Sequence, residues 1–214
     1  TAVKERPILM SAPMVRAINL GLKTQTRRII KPQPSECIDD LHGGEFRKRA
    51  PYKMHDYETG RPAGFGFEEE DYQWRCPYGE PGDRLWVREA WNVSGLCWGM
   101  KPSNTRAATK DAWRYAADDE TGWQHGWKPS IHMPRWASRL TLEITDVRVE
   151  RLNEISEEDA IAEGVSVDGV GNPGGPMRVH QRAFKILWNQ INGPDSWAAN
   201  PWVWAITFRR TESP

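Results

Sequence analysis

Disulfide chemistry is the first thing this sequence does without. Its three cysteines, Cys37, Cys76 and Cys97, form no CxxC pair, and an odd number is poor material for a disulfide framework. That usage fits a reducing, cytoplasmic setting. A run of roughly 18 consecutive apolar residues is also missing, so no membrane-spanning helix is expected, and the N-terminal stretch lacks a signal-peptide pattern. Net charge is missing too: 29 basic residues balance 29 acidic ones, which excludes a histone-like polycation and leaves any nucleic-acid contact to a local patch. Apolar residues make up 38% of the chain, a low share for a soluble domain.

Tryptophan offsets that shortage. Twelve indoles supply more apolar surface than the percentage suggests, enough for a real core in 214 residues. A local basic patch is present near the N-terminus, where Arg16, Lys23, Arg27, Arg28 and Lys31 lie close together with no acid among them. Acids gather at Glu68 to Asp71 and Glu154 to Asp159. Such a patch is either a solvated face or a ligand surface.

Along the chain, Ser11 is placed to cap a short helix with Met14, Val15 and Ile18 on one face and Gly21 at its end. The basic segment from Lys23 to Lys31 then leaves that helix end, where the helix dipole favours cations without any ligand. Residues 35–80 are rich in Gly, Pro and charge, so they read as a long excursion with at most short hairpins. Arg84 to Trp91 has strand alternation, which puts Glu89 on the apolar face of Leu85 and Val87, either paired or functional. A second insertion, 92–135, interleaves tryptophans with Arg106, Lys110, Arg114, Lys128 and Arg135, a mixture suited equally to base stacking and to padding a small core.

From Arg139 onward Leu140, Leu142 and Ile144 alternate and then shift phase to Val147 and Val149, which predicts a bulge near Thr145 and Asp146. Ser156 caps a short acidic helix ended by Gly164, with Glu163 at its unfavourable C-terminal end. A third helix carries Phe184, Leu187, Trp188 and Ile191 on one face, assigned to the core, and Trp202, Trp204, Ile206 and Phe208 mark a closing strand. His125 and His132 with Cys76 or Cys97 match no zinc spacing, and Gly171 to Gly175 lacks the context of a phosphate loop. No metal and no cofactor is expected.

Gly21-Leu22-Lys23-Thr24-Gln25-Thr26-Arg27-Arg28 reads G-x-K-x-x-T-x-R. This pattern resembles the signature of the ASCH family within the PUA-like superfamily. Further phrases agree: Pro81-Gly82-Asp83-Arg84-Leu85-Trp86-Val87-Arg88-Glu89, His132-Met133-Pro134-Arg135-Trp136-Ala137-Ser138-Arg139, and the stretch from Ile155 to Gly164. Together they most resemble the larger ASCH-related proteins of tailed phages and prophages.

The resemblance implies an α+β fold in one domain spanning 1–214: a small mixed PUA-like β-barrel with helices at its rim and insertions at about 35–80 and 92–135. It implies RNA, single-stranded nucleic acid or a modified nucleoside or nucleotide as partner. Some small family members instead hydrolyse an acyl amide on cytidine, and their working residues fall here on Lys23, Thr26 and Glu163.

In that chemistry Thr26 offers the hydroxyl, Lys23 serves as base if its pKa is depressed, and Glu163 orients Lys23 or a water. In a binding cleft the same atoms, with Arg27, Arg28, Arg16, Glu89 and Trp91, hold phosphate, sugar and base. Three functions therefore stay open: nucleotide or nucleic-acid binding, deacylation of an N-acylated nucleoside such as acetylcytidine, and a phage assembly or host-interaction role for the tryptophan-rich insertion. A purely structural reading pairs Lys23 and Arg28 with Glu89 and Glu163. Whether Glu89 or Glu163 is the acid in the cleft is open as well.

Overall fold

The computed structural model describes residues 2–33, 75–93, 112–120, 126–171 and 177–211, and the backbone of four short strands between 38 and 66. The fold is mixed α+β. Its centre is a five-stranded sheet in the order β1 (Glu5–Leu9), β7 (Arg84–Arg88), β10 (Thr141–Arg151), β11 (Trp202–Thr211), β2 (Gln25–Ile29). β1 runs parallel to β7 and every other pairing is antiparallel. The ladders do not return from β2 to β1, so this sheet is open, and the expectation of a hydrogen-bonded closed barrel is corrected to that extent. β2 is an edge strand.

Local chemistry explains most of the elements. β10 carries the expected bulge, since its register with β11 shifts between Ile144 and Asp146. In α1 (Ala12–Asn19), Val15 and Ile18 are buried, and Gly21 takes φ 72°, which suits a residue without Cβ. The side chain of Ser156 caps α2 (Glu157–Ala162) by accepting from the Asp159 N–H at 3.0 Å. α3 (Val179–Asn192) receives its own cap from α2: the Glu157 carboxylate accepts from the N–H groups of His180 and Gln181, two of the donors a helix start leaves open.

β11 is buried on both faces because two helical layers cover it. Trp204, Ile206 and Phe208 join Val15, Ile18, Leu85, Leu142 and Ile144 in the main core, while Val203 turns to Leu152, Phe184, Trp188 and Trp197 on the side of α2 and α3. Each such apolar side chain stabilises the fold by roughly 1.5–3 kcal/mol when fully buried. A third cluster joins Trp91, Val93, Met133 and Ala137 with Trp113, Tyr115 and Trp136.

Within the excursion at 35–80 the structure shows two hairpins, β3 (Ile38–Leu41) with β4 (Glu45–Lys48) and β5 (Tyr52–His55) with β6 (Pro62–Gly66). In the second insertion, β8 (Trp91–Val93) pairs with β9 (Trp113–Tyr115). Trp113 of this insertion lies 5.3 Å from Trp136, which Trp91 meets edge-on at 6.0 Å. Trp98, Arg106, Lys110 and Trp123 lie outside the described residues. Among the described residues no helix is long and apolar enough to cross a membrane.

Candidate functional site

The segment after Gly21 is not a plain helix exit. Lys23 forms an isolated bridge with Glu163, Thr24 N–H donates to the Ala162 carbonyl at 2.8 Å, and the chain then enters β2. Gly164 makes this approach possible: with φ 70°, a Cβ there would come within 2.7 Å of the Lys23 Cβ. The signature is thereby docked on the end of α2, and its residues alternate across the strand.

On the α2 side, Lys23, Gln25 and Arg27 enter a buried polar network. The Lys23 ammonium donates to Glu163 Oε2 at 2.7 Å, to the Glu163 carbonyl at 2.8 Å and to the Gln25 carbonyl at 2.8 Å. Three acceptors match the three protons of an ammonium. Arg27, equally buried, donates to Glu150 Oε1 at 2.7 Å, Gln25 Oε1 at 2.7 Å, Asp159 Oδ2 at 2.8 Å and Glu163 Oε1 at 3.3 Å. Arg148 adds a bond to Asp159 at 3.0 Å. Burial pushes the Lys23 pKa down, Glu163 pulls it back up, and Arg28 and Arg27 add to the lowering. The three cations and three carboxylates balance.

On the other side, Thr26 and Arg28 face elements outside this network. Arg28 donates to the Leu9 carbonyl at 2.8 Å and touches Met10 Sδ at 3.8 Å, and its other donors have no partner among the described residues. Thr26 is buried, 1% exposed, beside it.

A cavity of about 420 Å³ lies here. Residues 26–31 of β2 and its exit form one wall, α3 supplies Phe184, Leu187, Trp188, Ile191 and Asn192, and Met14, Tyr78 and Trp204 close it from the other side. Arg28, Lys31 and Arg75 are cations on its lining, and Glu163 is its acid, already shared by Lys23 and Arg27. The indole N–H of Trp188, 4% exposed, has no partner. The cavity is therefore electropositive and aromatic on two sides, with the Thr26 side chain on its lining and the unpartnered Trp188 N–H beside it.

No protein-family model, curated protein or solved structure matches the chain.

The geometry of the site sorts the residues singled out in the sequence. Thr26, Arg27, Arg28 and Glu163 meet at the cavity, and Lys23 stands directly behind Glu163. Glu163, not Glu89, is the acid there. Glu89 is paired elsewhere: Arg139 grips it with Nε at 2.9 Å and Nη2 at 3.1 Å, and also pairs with Asp118 while stacking over Tyr115 at 4.0 Å. Burial raises the Glu89 pKa against the pull of Arg139, and the Tyr115 hydroxyl is pushed up to about 12 by burial first. Of the structural reading that pairs Lys23 and Arg28 with Glu89 and Glu163, the Lys23–Glu163 pair is present, while Glu89 is held by Arg139 and Arg28 bonds the Leu9 carbonyl instead.

Arg16 leaves the site as well, bonding the Ala117 carbonyl at 3.3 Å from the exposed side of α1. Trp91 belongs to the third cluster, fully buried, with Lys128 over its ring at 5.4 Å. Sequence reasoning missed the aromatic wall. Phe184 and Trp188 are core residues, as their spacing predicts, and they also line the cavity, which spacing alone does not show. It also missed β2 itself, whose charged residues masked its alternation, and the network partners Gln25, Glu150 and Asp159. Among the described residues no group of three His, Cys, Asp or Glu could hold a metal.

Proposed function

We propose that this protein binds a nucleotide or single-stranded nucleic acid, modified nucleosides included, as a PUA-like domain of the ASCH kind encoded by a phage or prophage. One observation carries the reading: a nucleotide-sized cavity in which Arg28, Lys31 and Arg75 stand beside the aromatic walls of Tyr78, Phe184 and Trp188. Cations for phosphate and flat apolar surfaces for a base are what such ligands need. The five-stranded sheet is open, and what favours a PUA-like arrangement is that Arg28 on one edge strand bonds the Leu9 carbonyl on the other.

Deacylation of an N-acylated nucleoside is the weaker reading. It needs a base for the Thr26 hydroxyl, and Lys23 projects from the other side of the strand with all three protons committed to Gln25 and Glu163. An assembly or host-contact role for the tryptophan-rich insertion gains little from the described part, where tryptophans pack on each other.

The test is a titration of the full chain with the four ribonucleoside 5′-monophosphates and short single-stranded RNA, repeated with Arg28→Ala and Trp188→Ala. Binding weakened at least tenfold by each variant supports the proposal. An absence of binding across the panel, or binding indifferent to both variants, overturns it.

A further inference from the structure

The free edge of β2 is built into the cavity wall. Thr24 O accepts from Phe208 N–H at 2.8 Å, and Ile30 N–H donates to Trp202 O at 3.1 Å. The register between β2 and β11 runs without a shift, so residues 24, 26, 28 and 30 aim their backbone groups at β11. Arg27 and Ile29 therefore turn their N–H and C=O groups the other way, toward the edge that no strand covers among the described residues.

That edge faces the cavity. Residues 26–31 line it consecutively, although their side chains alternate between the two faces of the strand. A run that ignores the alternation is the mark of a cavity lying along a strand edge. The neighbouring carbonyl of Gln25 is already taken by the Lys23 ammonium at 2.8 Å, so the available groups begin at Arg27. Buried peptide groups without partners are costly, and a ligand that bonds them recovers that cost.

We infer that the main-chain N–H and C=O groups of Arg27 and Ile29 bind the hydrogen-bonding edge of a single base, with the phosphate of the same nucleotide on Arg28, Lys31 and Arg75. This rests on the nucleotide-binding reading above. A residue on a strand edge presents donor and acceptor side by side, which matches the adjacent donor and acceptor on the pairing edge of a nucleobase. The ring then lies between Phe184 and Trp188 on one side and Tyr78 and Trp204 on the other. Trp188 Nε1, buried and unpartnered, gives one further donor to a base carbonyl or ribose oxygen. A base engaged this way has its pairing edge occupied, so the site takes unpaired nucleotides and rejects duplex. A cavity of about 420 Å³ also holds one nucleotide and no helix.

An extended peptide can pair with a strand edge too. The cationic lining and aromatic walls favour the compact planar anion, and the peptide becomes an outcome of the test.

The experiment compares three ligands on the full chain: the tightest-binding nucleoside 5′-monophosphate, its nucleoside, and the same monophosphate methylated at the ring nitrogen of its pairing edge. Amide resonances are followed throughout. The expected result is a loss of at least tenfold for each altered ligand, and shifts at the Arg27 and Ile29 amides that exceed those at Thr26 and Arg28. Ile29→Pro deletes an N–H that β11 does not use, which an edge strand tolerates, and should lose at least fivefold. If that variant does not fold, the ligand and amide comparisons decide alone. A monophosphate that binds as well when methylated, with quiet Arg27 and Ile29 amides, sinks this inference and leaves nucleotide binding standing. No binding by any monophosphate sinks both. Arg27 and Ile29 amides that respond to an extended peptide and not to a monophosphate overturn it in favour of strand addition.

Discussion

Lys23 holds Glu163 twice, through its carboxylate at 2.7 Å and through its main-chain carbonyl at 2.8 Å. The second bond caps the end of α2 with a cation, where the helix dipole is negative, and the first neutralises an acid in a position that dipole disfavours. One side chain thus joins the signature segment to the helix end.

Breaking that pair from one side leaves the buried Glu163 carboxylate with the longer 3.3 Å bond from Arg27 alone. Lys23→Met should cost roughly 3–5 kcal/mol, the range for removing one partner of a buried ion pair. Lys23→Met with Glu163→Met should recover part of it. Denaturant unfolding of both variants checks this, and a single-variant loss under about 1 kcal/mol would show that the pair is not buried as described.

Gly164→Ala attacks the same junction through the backbone. The position combines φ 70° with a Cβ site 2.7 Å from Lys23 Cβ and 3.0 Å from Ala17 Cβ. Both effects oppose alanine, so thermal unfolding should show a loss of about 1–3 kcal/mol. An unchanged midpoint would mean that α2 and Lys23 do not approach this closely.

The acid limb of the stability curve should depend on Glu157. Its partial burial works to raise the pKa, but the His180 ring at 2.7 Å and the N–H groups of His180 and Gln181 outweigh this and hold it below the usual 4.5. A carboxyl whose folded pKa is depressed contributes stability that is present above the unfolded value and lost as pH falls through the folded one. Melts between pH 6 and pH 3 should therefore drop less steeply for Glu157→Gln than for the parent chain. Parallel curves would remove Glu157 from the account.

Thr26 separates binding from turnover. Incubation of the protein with N4-acetylcytidine, analysed by mass, should return the nucleoside intact, because no base reaches the hydroxyl from the Lys23 side. Cytidine that forms with the parent chain and not with Thr26→Ala would reverse the choice between the two readings.

Much of this architecture is legible in the residues. The bulge in β10 follows from a phase shift at Thr145 and Asp146, the start of α2 from Ser156, and the end of α1 from Gly21, because each is a short-range preference of the backbone. The meeting of Lys23, Thr26, Arg27, Arg28 and Glu163 near one cavity was legible only through the signature, since 135 residues separate Arg28 from Glu163. Their division of labour was not. Which of two neighbouring arginines is held by carboxylates depends on strand phase: Arg27 bonds Glu150 and Asp159, while Arg28 bonds the Leu9 carbonyl and lines the cavity. Likewise, Glu89 and Glu163 are both buried acids, and only long-range packing gives Arg139 to one and Lys23 to the other. Sequence determined the local elements and the kinds of chemistry available. Tertiary structure decided which charges cancel and which strand edge stays open, because ion pairing and sheet order are set by contacts between residues far apart in the chain.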